Sequence, residues 1–205
     1  MLKFVYFSSK DKVWVGPIGI LAFVILYMTP NHIHFFDPQY LHMFKIEKSI
    51  PFLAWNVWIY LSDYLYIAVV FTLLKDRENM NRIYYSQIMM LIFSMMVFVL
   101  YPTMYPRPEV EYIGVSGSLM KLLHSLDTPC NALPSIHVGM TFLASFGFIK
   151  EQRKLLPFFL FWAVLIAIST LTIKKHYLVD VVAGFIMSVF FYWIGTMVKE
   201  RKRGS

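Results

Sequence analysis

Six apolar runs, at about 13–29, 51–74, 83–101, 135–149, 155–173 and 177–198, govern what this chain can become. A helix needs about 20 mostly apolar residues to cross a bilayer. Most of the runs meet or approach that length, and the fourth, the shortest, is expected to extend below its start. The charged fraction is 15% and the hydrophobic fraction 58%, whereas soluble domains carry about 25% charged residues. A core built from 205 residues cannot bury that much apolar surface, so lipid must cover much of it. The pattern predicts an all-α integral membrane protein, a six-transmembrane-helix bundle forming a single domain over 1–205. No small-x-small cleavage site follows the first run, which is expected to stay as a span. Cys130 is the only cysteine, so an intrachain disulfide is excluded.

The net charge of +7 does not point to nucleic acid, because the basic residues divide by loop and form no single patch. With six spans, both termini share one face. Lys45, Lys48, Arg107, Lys121, Lys174 and Lys175 lie on the other face, and the remaining 13 of the 19 lysines and arginines lie with the termini. The positive-inside rule then makes both termini cytoplasmic. The loops following the odd-numbered spans face outward, toward a periplasmic, extracellular or lumenal space.

The first outward loop, 30–50, mixes aromatic and charged residues and reads as interfacial. Its His32-x-His34 pair lacks a third ligand at a useful spacing, so a wet surface loop is expected there and no metal site. Asp63 stands inside the second run. An acid at that depth needs a partner or a water-filled cavity; a bond to a neighbouring helix and a catalytic role both satisfy the requirement. The third run leads into a long outward segment, 102–134. Pro102, Pro106 and Pro108 hold its start extended, 114–117 reads as a break, and 118–126 as a short amphipathic helix. Loops of this length between helices usually serve function.

Two clusters concentrate the chemistry: Asp127-Thr-Pro-Cys-Asn131-Ala-Leu-Pro134-Ser135-Ile-His137 and Lys174-Lys175-His176-Tyr-Leu-Val-Asp180. Four residues apart on a helix, His176 and Asp180 share one face. A carboxylate on one ring nitrogen orients an imidazole and leaves the other nitrogen as a base or nucleophile; a purely structural pair closing a helix start has the same spacing. His137 follows Pro134-Ser135, a helix-start signature that presents backbone amides to an anion. His137 is placed to act as a general acid. Arg107, Lys174 and Lys175 bring cations to the same face, and arginine donates two parallel hydrogen bonds to phosphate. Phosphoryl transfer fits this set, and peptide hydrolysis does not.

These clusters resemble the type 2 phosphatidic acid phosphatase (PAP2) superfamily, which has three motifs: Lys-x6-Arg-Pro, Pro-Ser-Gly-His and Ser-Arg-x5-His-x3-Asp. Here they read Arg107-Pro108, Pro134-Ser135-Ile136-His137, and Ser169-Thr170 followed by His176 and Asp180. Leu100, Ile136 and Thr170 replace the first-motif lysine, the glycine and the third-motif arginine. The extended form Asp-x-Pro-x-Asn-x-x-Pro-Ser-x-His resembles a branch that includes inositol phosphorylceramide synthase-like proteins. The resemblance implies a PAP2-like bundle and an integral-membrane lipid phosphate phosphatase acting at the outer leaflet. His176 would form a phosphohistidine, Asp180 would orient it, and His137 would protonate the leaving oxygen. Arg107 and Ser135 would bind phosphate, with Lys174 and Lys175 as substitutes for the missing cations. No metal or cofactor is expected. The expected partners are a phospholipid or other lipid phosphate and the membrane lipids. The alternatives are a headgroup phosphotransferase and a catalytically inactive lipid-binding relative.

Overall fold

In a computed structural model the chain is described over residues 24–197, apart from Leu26. Most of the first expected span and both termini fall outside these residues; residues 27–32 are helical. Seven helices follow: α1 (Lys45–Ser49), α2 (Val57–Leu73), α3 (Arg77–Leu100), α4 (Gly114–Leu126), α5 (Ile136–Ser145), α6 (Leu156–Thr172) and α7 (Leu178–Met197). Four segments among the described residues are long and apolar enough to cross a membrane: Ala54–Leu73, Arg77–Leu100, Arg153–Thr172 and Leu178–Met197. The outward sides of these helices expose large apolar residues such as Trp58, Leu65, Ile92, Phe161, Ile186 and Trp193, as lipid-covered helices do.

The fourth apolar run differs. It does not extend below its start: α5 begins at Ile136, directly after Ser135, and a 3-10 turn over Phe146–Ile149 closes it. The segment Ile136–Ile149 is shorter than its neighbours and packs among α2, α3, α6 and α7. Nearly every α5 residue is buried, so protein surrounds this helix where lipid surrounds the others. Tyr66, Val70, Ile83, Val138, Phe148, Ala163 and Ile166 form the largest apolar cluster, and the Tyr66 hydroxyl lies 3.1 Å from the carbonyls of both Thr141 and Phe159.

The α5–α7 crossing fixes the geometry of the site. Gly139 and Gly184 bring the two backbones together: a Cβ on Gly184 would strike the Ser135 carbonyl, and one on Gly139 would come within 3.3 Å of the Gly184 carbonyl. Small residues permit such close helix contact. The Ser135 amide then donates to the Asp180 carbonyl at 3.1 Å, which ties the start of α5 to the first turn of α7.

The long segment 102–134 is ordered by pairings that no local pattern announces. Thr103–Met104 pairs in parallel with Gln39–Tyr40, and Met104 forms an antiparallel bridge with Cys130. The expected break at 114–117 is instead the first turn of α4. Gly114, at φ +70°, starts the helix in a conformation open to glycine, and Gly117 admits the Tyr112 backbone against it. At the opposite end of the bundle, Glu151 accepts from the amides of Lys75 and Asp76 and from Asn79 Nδ2, at 2.8–3.1 Å, locking the two short turns together.

Candidate active site

His176 lies in the loop before α7, which begins at Leu178, and not inside the helix as its spacing to Asp180 suggested. Its Nδ1 is 2.8 Å from the Ala132 carbonyl and 3.3 Å from Asp180 Oδ2. A carbonyl can only accept a hydrogen bond, so Nδ1 carries the proton and Nε2 keeps its lone pair. Asp180 is fully buried (0% exposed). Its Oδ2 also accepts the Tyr177 amide at 2.8 Å, so the carboxylate caps the turn that holds His176 as well as facing the ring.

His137, in the first turn of α5, faces His176 with ring centroids 6.3 Å apart. Helix α2 supports it at two points: Tyr60 lies against its ring, with centroids 4.4 Å apart and planes at 35°, and Asp63 Oδ2 is 3.9 Å from Nε2. Tyr60 and Asp63 are three residues apart and so share a helical face. Asp63, left open between two readings by the sequence, therefore sits beside a site histidine, one helix away in space. Side-chain oxygens of Asp63 (Oδ1), Asn131 (Oδ1), Ser135 (Oγ) and Asp180 (Oδ1) are buried without a hydrogen-bond partner among the described residues. Buried polar atoms are usually paired, and these four belong to the site residues or the loop beside them.

His137 and His176 open into a cleft that Arg107, His124, Asp127, Lys174 and Lys175 also line. Arg107 donates to the Asp127 carbonyl, Lys175 forms an ion pair with the Asp127 carboxylate, and Tyr27 donates to the other carboxylate oxygen at 3.2 Å. Two cations expected from the sequence thus meet on one residue. Asn31 holds the same loop, accepting from the Thr128 amide at 3.0 Å and donating to the Cys130 carbonyl at 3.3 Å. Asp127 and Asn131 act as loop braces; Asn131 Nδ2 donates to the Tyr27 carbonyl at 3.2 Å.

Lys174 takes another direction. It adopts φ +58°, and its ammonium donates to the carbonyls of Ile50 (2.6 Å) and Glu47 (3.3 Å). Burial lowers its pKa below the ordinary lysine value. Ser135 stands at the N-cap of α5, but its side chain makes no cap bond and it is not among the residues lining the cleft. His124, which no motif marks, lies 3.1 Å from the Tyr112 hydroxyl through Nδ1. Burial first, then the charges of Lys175 and Arg107, pushes its pKa down to about 4. Among the described residues, no three His, Cys, Asp or Glu side chains gather as a metal site, His32 and His34 included.

Four helices of membrane-spanning length and a polar site at one end of the bundle define a membrane protein of the integral, helical class. The family model described as PAP2 superfamily matches residues 26–194, and the chain belongs to that superfamily. Membership points to phosphatase-type activity. The chain is also similar to a Methanocaldococcus jannaschii protein described as uncharacterized, at 30% identity over 82 residues. That match covers 39% of this chain and 34% of the relative, so the aligned part spans about a third of the relative's length. No solved structure matches the chain.

Proposed function

We propose that this protein is a lipid phosphate phosphatase working at the outer leaflet through a phosphohistidine on His176. The observation that carries this reading is the double hold on Nδ1 by the Ala132 carbonyl and Asp180, which leaves Nε2 with the lone pair a nucleophile needs. In the first step Nε2 bonds to phosphorus as the ester bond to the lipid oxygen breaks. His137 gives its proton to that oxygen, and Asp63 stabilises the imidazolium before transfer. In the second step neutral His137 takes a proton from water, the oxygen attacks phosphorus, and the phosphorus–nitrogen bond breaks to release phosphate and restore His176. Arg107 and Lys175 exchange their contacts with Asp127 for non-bridging phosphate oxygens, whose charge they offset. These steps call on no metal. The lipid enters sideways between helices, and the excess of basic residues expected on the terminal face supports a cleft on the non-cytoplasmic side.

A second reading, headgroup transfer to a lipid hydroxyl, is favoured by one feature. Lys175 and Arg107 both end on Asp127, within the extended motif that resembles the phosphotransferase-like branch. An acceptor alcohol would then replace water in the second step. Purified protein given a panel of lipid phosphates, with and without ceramide or diacylglycerol, separates the readings. Free phosphate without acceptor, lost in His176→Ala, is the expected result. Transfer only in the presence of acceptor would establish the second reading. Binding without turnover in either arm would overturn both.

A further inference from the structure

We infer that Glu47, in the short helix of the first loop, is a positioning residue for His176; this rests on the phosphohistidine reading above. Glu47 is 2% exposed and spends both carboxylate oxygens on backbone amides. Oε1 accepts from Leu178 and Oε2 from Phe44, each at 2.6 Å. Leu178 is the first residue of α7 and stands two residues after His176. Two residues before His176, the Lys174 ammonium donates to the carbonyls of Ile50 and Glu47. Both flanks of the nucleophile are therefore fastened to the same turn, 44–50. Two further bonds continue the seam toward α6: the Leu53 amide donates to the Thr172 carbonyl at 3.0 Å, and Asn56 Nδ2 donates to Thr172 Oγ1 at 2.7 Å.

The arrangement has a physical reason. His176 belongs to no helix, and the loop before it passes through the left-handed conformation of Lys174, so its own backbone bonds do not aim the ring. A buried carboxylate is costly unless its oxygens are bonded, and Glu47 meets that condition at the start of α7, where a negative charge also complements the helix dipole. Glu47 does not line the cleft, which separates it from residues that would touch phosphate. Its charge-assisted bonds hold Leu178, Lys174 is anchored beside it, and His176 sits between.

The test is rapid-quench measurement of phosphohistidine formation and breakdown on full-length protein in detergent, using a labelled lipid phosphate. Misplacing a reacting group by about 1 Å costs about 10²-fold, so Glu47→Ala is expected to slow formation by about that factor. Breakdown depends on water and His137 and should change by less than about three-fold. Glu47→Gln, which keeps the length and one acceptor oxygen, should fall between. Glu47→Gln gives a second, conservative variant, so the inference does not depend on one variant folding. A merely structural role would lower the fraction of active protein and leave both rate constants alone. That outcome, or formation rates within about three-fold of wild type in the folded variants, overturns the inference while the phosphohistidine reading stands. Turnover by wild-type protein without any phosphohistidine would overturn that reading and this inference with it.

Discussion

The two histidine–carboxylate pairs at the site are built differently. His176 and Asp180 belong to one turn of chain. The ring is held at 2.8 Å by a backbone carbonyl and the carboxylate is spent in part on the Tyr177 amide. His137 and Asp63 come from separate helices, and their 3.9 Å separation exceeds hydrogen-bond length; the Tyr60 ring, not a bond, sets the plane of the imidazole. A nucleophile needs a fixed lone pair, whereas an acid that later serves as a base needs a proton free to leave and return. The rigid pair suits the first task and the looser pair the second.

Breaking the looser pair at its histidine should have the largest effect. His137→Ala is expected to lower turnover by about 10²–10⁴-fold. Much of that loss should disappear with a substrate whose leaving alcohol is already acidic, because such an oxygen needs no proton. Equal losses on both substrates would remove His137 from the acid role. Asp180→Asn tests the rigid pair. Where a carboxylate alone fixes the tautomer, the same change costs about 10⁴-fold. Here the Ala132 carbonyl still demands a proton on Nδ1, so a loss nearer about 10²-fold is expected, read as kcat under saturating substrate.

Smaller effects sharpen the contrast. Asp63→Asn should reduce turnover by about tenfold and change the shape of its pH profile, since it removes a partner of the proton-carrying ring; an unaltered profile would make Asp63 a packing residue only. His124 is the control, a cleft histidine bonded to Tyr112 and not to a carboxylate. His124→Asn should leave turnover within about three-fold of wild type. Its signature lies in stability. The folded pKa of about 4 is below the ordinary histidine value, so the unfolded chain binds the extra proton and stability falls as pH drops through the ordinary value toward 4. Melting temperatures of the variant between pH 7 and 4 should fall less steeply than those of wild type.

Much of this arrangement is legible in the residues themselves. The apolar runs mark the long helices, the spacing of His176 to Asp180 marks one pair of groups that meet, and Pro134-Ser135 marks the start of the helix that carries His137. Arg107, set off by prolines, does reach the cleft. What escapes the sequence is carried by backbone and tertiary packing. The Ala132 carbonyl has no side-chain signature. The direction of Lys174 follows from a left-handed backbone that a lysine does not advertise. Asp63 meets His137 only because α2 lies against α5, and its one sequence clue is that an acid stands inside an apolar run. Glu47 reads as a surface charge until the first loop is seen folded under α7. The short fourth run misleads in the opposite direction: its length suggests a hidden extension, whereas burial on all sides lets it stay short.

The most direct test of the central claim is to quench the enzyme during turnover of a labelled lipid phosphate and map the label by mass spectrometry. The account predicts an acid-labile phosphoryl group on His176, absent in His176→Ala and accumulating in variants that slow its hydrolysis. Turnover with no labelled histidine, or with the label on His137, would contradict the account, because the nucleophile would then be water or the wrong ring.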